Sequence, residues 1–241
     1  MRDIEQDKAA RKTGQQWPDQ ESEAYKKEAT RVAEPLLGAQ LTARQKTRFL
    51  LRVVAGFSAC FWMPGCAPPR VKGFQADIRP KPDAVPKVTQ QFPLSRLDEL
   101  RLKYHEDVEV EEGKARWLLP GERSEWGSPS FVVDQDNKGL LGRPVRDYRY
   151  PNSQTAEEAW PSQRADACLS RAQEGALHTQ LDCIWVFTQI ELAPEAQRIF
   201  TLMTRRGMLR PPVLFFGAKQ GPIIVQRLMD STFGEVRGTE G

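Results

Sequence analysis

Two stretches decide the predicted fold: LDCIWVFTQI, Leu181 to Ile190, and FFGAKQGPIIVQRLM, Phe215 to Met229. The first places an acid, Asp182, at the end of an apolar strand pattern and an aromatic residue, Phe187, five residues later. The second is a glycine-containing turn that runs into a helix pattern. Because the end of a buried strand lies at the edge of a sheet, the first stretch predicts a site beside a cleft, and the second predicts an adjoining turn and helix.

The composition indicates a folded chain with many irregular connections. Of 241 residues, 39% are hydrophobic, 28% are charged and 18 are proline. Proline disfavours helix in the residue before it, so the proline clusters predict extended segments. The net charge of +3 is compatible with nucleic-acid binding but is too small to indicate it alone.

The cysteines and histidines show no metal-ligand spacing. They are Cys60, Cys66, Cys168, Cys183, His105 and His178. Without a C-x-x-C pair, neither a zinc site nor a disulfide framework is expected, and a reducing intracellular compartment, cytoplasmic or nuclear, is predicted. The first 40 residues are charged throughout, and the most apolar run, Phe49 to Met63, is shorter than the about 20 residues that span a bilayer. No secretory signal and no membrane role are therefore expected.

The chain divides into three predicted segments. Residues 1–40 form a polar, weakly ordered and irregular extension. Residues 41–93 combine a helix, which begins at a capping box of Thr42 and Gln45, with a proline-rich linker. Residues 94–241 form the folded domain, in which the acidic run Glu106 to Glu112 is interpreted as a solvated surface.

The pattern of residues 94–241 predicts an α+β fold, since strands and helices interleave. The predicted elements are a helix from Ser95, a hairpin of Ser130–Val133 with Leu140–Tyr148, a helix at Pro161–Gly175, strands at Leu177–Ile184 and Arg198–Met203, and a helix at Gly221–Phe233.

Four segments resemble, in the same order, the reverse transcriptase of gypsy-type retrotransposons. SEWGSPSFVV, Ser124 to Val133, resembles S-x-W-x-S-P-V-x-x-V, and GRPVRDYRYPNSQT, Gly142 to Thr155, resembles R-M-x-V-D-Y-R-x-L-N-x-x-T. LDCIWVFTQI resembles L-D-x-x-x-G-(Y/F)-x-Q-I, and FFGAKQGPIIVQRLM resembles P-F-G-L-x-N-A-P-x-x-F-Q-x-x-M. A looser upstream similarity at residues 67–88 extends the resemblance over about Leu41 to Phe233.

This resemblance implies a partial right-hand polymerase fold, with a fingers hairpin, an incomplete palm sheet and flanking helices. It implies RNA-directed DNA synthesis on an RNA or DNA template–primer, with dNTP substrates and Mg²⁺, which takes hard oxygen ligands. The family's residues carry over as Asp182 (catalytic and metal-binding acid), Cys183 (metal ligand through its carbonyl), Arg143 (triphosphate), Phe187 (nucleotide sugar), and Gln189, Phe216, Gly217 and Gln226 (further substrate-binding positions).

Several positions depart from the family pattern. Val186 replaces a glycine, and Asp134, Gln135 and Asp136 replace a basic run. No Y/F-x-D-D segment follows Met229, and one carboxylate cannot hold two ions, so the expected function is that of a reverse-transcriptase fragment that is inactive alone. The alternatives are a non-catalytic nucleic-acid-binding or decayed element product, and a degenerate reading frame that unfolds with little cooperativity. The pattern does not predict an oligomeric state.

Overall fold

The computed structural model describes residues 19–63, 66, 69–135, 141–161, 170 and 182–233 of the chain. The chain divides into two compact units, Met1–Pro68 and Pro69–Gly241. Within the described ranges, no helix combines the length and the apolar character that a membrane span requires.

The first unit is built from short helices around a small apolar core. Its elements are α1 (Glu23–Ala33), a 3₁₀ turn (Glu34–Leu36), α2 (Ala43–Phe49), a π-helical turn (Leu50–Ala55) and a second 3₁₀ turn (Ser58–Cys60). The Thr42 side chain accepts from the Gln45 N–H, and the Gln45 side chain accepts from the Thr42 N–H, so the predicted capping box is confirmed. The apolar core consists of the buried side chains of Tyr25, Ala29, Leu50, Val54 and Met63.

The second unit mixes helices with three small sheets. Its helices are α3 (Arg96–Glu111), α4 (Arg149–Gln154), α5 (Val186–Gln189), α6 (Pro194–Ile199) and α7 (Gly221–Phe233). Its strands are β1 (Gln75–Ala76), β2 (Arg116–Trp117), β3 (Ser130–Val133), β4 (Arg143–Arg146), β5 (Glu191–Leu192), β6 (Leu202–Thr204) and β7 (Gly207–Arg210). Strands β1 and β5 are parallel, β3 and β4 are antiparallel, and β2, β7 and β6 form an antiparallel sheet in that order.

The predicted hairpin is confirmed by the pairing of β3 with β4. Ser130 lies opposite Arg146 and Val133 lies opposite Arg143. Successive side chains of a strand point to opposite faces, so the two arginines lie on opposite faces of the hairpin. Arg143 is exposed, whereas the Arg146 side chain is only 8% exposed. The hairpin therefore presents one arginine to solvent and buries the other.

The core of the second unit centres on the chain around β5. Ile190 and Leu192 are buried, and burial of one such side chain stabilises a fold by roughly 1.5–3 kcal/mol. Backbone hydrogen bonds join this strand to a later segment: Leu192 N–H donates to Pro212 O at 2.8 Å, and Leu214 N–H donates to Ile190 O at 2.9 Å. The chain from the end of α5 through β5 therefore lies beside the chain that follows β7, and backbone hydrogen bonds join the two.

Two predicted helices of the second unit are confirmed. The Ser95 side chain accepts from the Asp98 N–H at 3.1 Å and caps α3, as expected for a serine that precedes a helix. Helix α7 has the predicted bounds. Its buried residues are Gly221, Ile224 and Leu228, so one face of the helix packs on the core.

The strand prediction over Arg198–Met203 is wrong at its start. Helix α6 continues to Ile199, and β6 begins only at Leu202. Pro194 occupies the first turn of α6, where its missing N–H carries no penalty and its fixed φ favours the helix. The helix-start signal therefore prevails over the apolar character of the following residues.

The interpretation of the acidic run Glu106 to Glu112 as a solvated surface is wrong for two of its members. Glu106 is buried and pairs with Arg206 at 2.7 Å. The Glu109 side chain is 12% exposed and pairs with Arg146. Both arginines come from distant parts of the chain, and a buried carboxylate needs such a partner. The run is therefore partly an internal surface.

Two predicted elements lie almost wholly outside the described residues. They are the helix at Pro161–Gly175 and the strand at Leu177–Ile184; residues 182–184 of the strand are described and are irregular. The predicted boundaries of the three segments, 1–40, 41–93 and 94–241, stay predictions.

Candidate functional site

Phe187 is placed by a tight turn at the start of α5. Trp185 adopts a left-handed backbone conformation, with φ 50°, directly before the helix. This conformation costs a non-glycine residue about 1–2 kcal/mol. The Thr188 hydroxyl donates to the Trp185 carbonyl at 3.1 Å, and the Gln189 amide donates to the Ile184 carbonyl at 2.6 Å. These side-chain hydrogen bonds stabilise the turn and fix the direction in which Phe187 leaves it.

A second turn presents Phe216. Gly217 has φ 100°, a conformation that glycine adopts without a steric penalty. The Asn152 Nδ2 donates to the Gly217 carbonyl at 2.7 Å, and the Asn152 Oδ1 accepts from the Lys219 N–H at 2.8 Å. The Phe216 side chain, in a residue that is 44% exposed, is therefore held at the surface by a bracket from α4.

Three predicted site residues from three separate segments meet at one place. The rings of Phe187 and Phe216 lie edge to face, with centroids 4.7 Å apart and planes inclined by 71°. The Arg143 guanidinium lies over the Phe216 ring, 5.1 Å from its centroid. We call Arg143, Phe187 and Phe216 the aromatic–arginine cluster. No carboxylate of the described residues pairs with Arg143, so its charge is available to an anion.

Gly221 allows the Phe187 ring to lie against the start of α7. A Cβ atom at this position would stand 2.9 Å from Cε1 of Phe187. Gly221 is itself buried, and its N–H donates to the Ala218 carbonyl at 3.0 Å. The absence of a side chain here is therefore part of how the aromatic–arginine cluster packs.

Asp182 and Cys183 lie in irregular, exposed backbone shortly before the turn at Trp185. Among the described residues, no three His, Cys, Asp or Glu side chains form a group that could hold a metal ion. Magnesium requires a nearly complete shell of oxygen ligands, and a pair of ions requires several carboxylates. The Asp182 carboxylate and the Cys183 carbonyl therefore do not by themselves fit the Mg²⁺ that the resemblance implies.

The two predicted site glutamines make intramolecular contacts. Gln189 donates to the Ile184 carbonyl within the turn described above. The Gln226 amide donates to Asp230 Oδ1 at 2.9 Å, one turn further along α7. Each glutamine thus has a structural contact in the free chain, and its substrate-binding role stays a prediction.

Acids near the hairpin shape the charge around the site. Asp134 pairs with Arg101 at 2.9 Å, and Arg101 also pairs with Asp98 at 3.1 Å. Asp147 accepts from Arg149, and this hydrogen bond lowers the pKa of the Asp147 carboxyl below its usual value. One guanidinium shared by Asp98 and Asp134 leaves negative charge at the end of β3, where the resembling family has basic residues.

Two residues that organise the site, Asn152 and Gly221, are not among the site residues predicted from the sequence. Asn152 lies inside the matched segment GRPVRDYRYPNSQT, so the match itself was the available signal. For Gly221, nothing in the neighbouring sequence indicates that a ring from another segment packs against it. The contact of Lys114 with the Trp185 ring, 4.3 Å from the ring centroid, was not predicted either. The two residues are too distant in sequence for a local pattern to indicate that they meet.

The fold and the converging segments define a reverse-transcriptase-like chain. Its structure is similar to that of a selenomethionine-labelled mutant of prototype foamy virus protease-reverse transcriptase, with a TM-score of 0.61 and 15% sequence identity. The likeness covers 87% of this chain and 27% of that chain. At this identity it shows the fold alone. The mixed α/β character agrees with the predicted α+β fold, and the predicted partial polymerase fold stays a prediction.

Sequence relatives agree with this class, although no protein-family model matches the chain. The chain is 25% identical to the uncharacterized protein K02A2.6 of Caenorhabditis elegans over 170 residues, 68% of this chain and 13% of that protein. It is 26% identical to the enzymatic polyprotein of cauliflower mosaic virus (strain D/H) over 129 residues, 53% of this chain and 19% of the polyprotein. The enzymatic polyprotein of figwort mosaic virus (strain DxS) is 27% identical over 116 residues, 47% of this chain and 17% of the polyprotein.

The chain spans less than a fifth of the length of these relatives. These relatives and the foamy virus structure together confirm the predicted resemblance to a reverse transcriptase. The similarity is to one segment of longer proteins.

Proposed function

We propose that the chain forms the fingers and upper palm of a retrotransposon-type reverse transcriptase, and that the aromatic–arginine cluster binds the nucleotide end of a template–primer complex. In this proposal the hairpin of β3 and β4 belongs to the fingers. The sheet and helices around β5 belong to the palm, preceded by the linker and extension at 41–93 and 1–40.

The observation that carries this proposal is the convergence of Arg143, Phe187 and Phe216. These residues come from three segments that resemble the same family, and Phe216 contacts each of the other two in the folded chain. A guanidinium fork suits phosphate oxygens, and an aromatic ring offers a stacking surface to a sugar or a base. Exposed Arg143 and Phe216 give the cluster both kinds of contact at one surface.

We propose that this chain alone does not catalyse RNA-directed DNA synthesis. In-line phosphoryl transfer of this kind uses two divalent ions, and Asp182 is the one carboxylate that the resemblance assigns to them. Asp182 and the Cys183 carbonyl would hold only one side of such an ion site, and no group of acids that could complete it is present among the described residues. Arg143 would then orient the triphosphate, and Phe187 would pack against the sugar.

Binding and activity are tested separately with the full chain. Fluorescence anisotropy of a labelled template–primer should give a dissociation constant that rises with salt, as counterion release requires. Arg143→Gln and Phe216→Ala should each weaken binding by about fivefold or more, because one stacked base contributes about 1–3 kcal/mol and Arg143 is proposed to contact a phosphate. Arg79→Gln, which removes an exposed arginine paired with Asp77, is the matched control and should leave binding unchanged.

Primer extension with Mg²⁺ tests the proposed inactivity. No incorporation is expected from the chain alone, and incorporation that Asp182→Asn abolishes would overturn that part of the proposal. If Arg143→Gln and Arg79→Gln weakened binding equally, a general loss of positive charge would explain both effects. The assignment of binding to the aromatic–arginine cluster would then be overturned.

A second candidate function is nucleic-acid binding without catalysis. The observation that favours it is the lack, among the described residues, of an acidic or mixed group that could hold a metal ion. It predicts template–primer binding that does not change in Asp182→Asn, with or without Mg²⁺. Binding that Mg²⁺ strengthens through Asp182 would instead favour the polymerase assignment.

A further inference from the structure

A cleft of about 790 Å³ in the second unit shares no lining residue with the aromatic–arginine cluster. Four cations line it: Lys81, Arg123, Arg198 and Arg210. They come from the segment after β1, from the segment after β2, from α6 and from β7. Positive charge from four separate parts of the chain therefore converges on one concave surface.

Arg210 is the buried member of this set. The residue is only 9% exposed, and its Nε has no hydrogen-bond acceptor among the described residues. Its other contacts are long: Nη1 lies 3.4 Å from Glu122 Oε1, and Nη2 lies 3.4 Å from the Arg123 carbonyl. A buried guanidinium with unfilled donors is costly, so these donors need an acceptor that the described protein groups do not provide.

The nearest carboxylate is already engaged by another arginine. Glu122 accepts from Arg116 at 2.7 and 2.9 Å, both shorter than its contact with Arg210. Burial lowers the pKa of the Arg210 guanidinium, and the charges of Arg116 and Arg198 lower it further, while Glu122 opposes this shift. The surroundings of Arg210 therefore carry an excess of positive charge that a bound anion would offset.

The other charges of the cleft lie at its exposed rim. Arg123, Arg198 and Lys81 are exposed, and none of them pairs with a carboxylate within the described residues. The acids Glu125 and Glu195 also line the cleft, without an ion pair to these cations. The arrangement is one buried fork with free cations around it, which suits a small, highly charged anion with several oxygens.

We propose that this cleft binds a tetrahedral phosphate group, with the Arg210 guanidinium at its floor and Arg198 and Arg123 at its rim. The geometry favours phosphate over a carboxylate, because cationic side chains from more than two segments line the cleft and phosphate offers more oxygens. Free phosphate, a phosphate monoester and the backbone of a nucleic acid share this chemistry. The site is independent of the function proposed above, since it uses none of the same residues.

The test is calorimetric titration of inorganic phosphate into the full chain at constant ionic strength set with chloride. Saturable binding is expected. Arg198→Gln should weaken it by about fivefold, as for one partly exposed charged contact. Arg210→Lys keeps the charge but removes the fork, and should weaken binding more than tenfold. Arg44→Gln removes an exposed arginine of the first unit and should have no effect.

Two further titrations separate the sources of the phosphate. A deoxynucleoside monophosphate tests a monoester, and an oligonucleotide without terminal phosphates tests the backbone. Arg198-dependent binding of either, displaced by inorganic phosphate, supports the site and names its source. The proposal is overturned if inorganic phosphate gives no saturable heat, or if Arg198→Gln and Arg123→Gln bind it as well as the original chain. The two rim variants together decide the matter if Arg210→Lys fails to fold.

Discussion

Asn152 joins α4 to the turn at Gly217 through both atoms of its side-chain amide. Nδ2 donates to the Gly217 carbonyl at 2.7 Å, and Oδ1 accepts from the Lys219 N–H at 2.8 Å. The same two segments are joined again by Gln220, whose Nε2 donates to Thr155 Oγ1 at 2.9 Å. The two stretches that resemble family motifs are therefore one structural unit, and Phe216 is held by the segment that also follows β4.

Asn152→Ala should destabilise the chain by roughly 1–3 kcal/mol, because it removes two hydrogen bonds, each worth about 0.5–1.5 kcal/mol. Urea unfolding followed by tryptophan fluorescence measures the change. Ser153→Ala, at the exposed neighbouring position, should change the free energy of unfolding by less than about 0.5 kcal/mol. Equal effects of the two variants would show that the bracket does not stabilise the turn.

Gly221→Ala should destabilise the chain, although alanine normally favours a helix over glycine by about 0.5–1 kcal/mol. The added Cβ would meet Cε1 of Phe187 at 2.9 Å and force the ring to move. In a Phe187→Ala background the obstacle is gone, and the same substitution should become neutral or stabilising. This double-mutant cycle isolates the contact between the two positions.

Unfolding midpoints of the four proteins of the cycle provide the measurement. If Gly221→Ala were equally destabilising with and without the Phe187 ring, the ring would not be what requires glycine there. A loss of template–primer binding in Gly221→Ala alone would add that the position of Phe187 matters to the proposed site.

Local patterns predicted the elements whose signals lie within a few residues. The capping box at Thr42, the cap at Ser95 and the bounds of α7 depend on neighbouring side chains and on helical spacing, which the sequence shows directly. The hairpin was predictable because two β-prone runs flank a short polar turn. The match to family motifs named Arg143, Phe187 and Phe216 as site residues. The structure shows that Phe216 contacts the other two, and their role at a site stays a prediction.

Contacts between distant segments could not be predicted in this way. Glu109 meets Arg146 across 37 residues, and Glu106 meets Arg206 across 100, so no local rule distinguishes these buried acids from their solvated neighbours. The left-handed Trp185 is a similar case, since a bulky residue in that conformation contradicts local preference. The sequence also could not predict that the buried Nε of Arg210 has no hydrogen-bond acceptor among the described residues, because this depends on the groups that surround it in the folded chain.

Glu109→Ala should destabilise the chain by about 3–5 kcal/mol, because it leaves Arg146 as an uncompensated buried charge. The Arg146 side chain is 8% exposed and also lies over the Phe215 ring, 4.3 Å from its centroid. Glu111→Ala, at an exposed position of the same helix, is the control and should stay within about 0.5 kcal/mol of the original chain.

Replacing both partners should recover much of this loss. Glu109→Leu with Arg146→Met removes both charges and keeps an apolar contact with Phe215, and such replacements are often neutral or stabilising. Urea unfolding of the single and double variants decides the matter. A double variant as unstable as Glu109→Ala would indicate that packing, and not the unpaired charge, causes the loss.

Glu122 should make stability depend on pH at the acidic end. Hydrogen bonds from Arg116 and from the Leu119 N–H lower the pKa of Glu122 from its usual 4.5 to about 2. The folded state therefore favours the ionised carboxylate, and this stabilisation is complete above pH 4.5 and is lost as the pH falls toward about 2.

The urea midpoint of the original chain should fall more steeply across this window than that of Glu122→Gln, which cannot ionise. Glu111→Gln, which removes an exposed carboxylate, should follow the original chain. If the urea midpoints of the original chain and of Glu122→Gln changed with pH in the same way, the carboxylate would be no better stabilised in the folded state than in the unfolded one. Glu122 would then not offset the charge of Arg116 and Arg210 beside the proposed phosphate cleft.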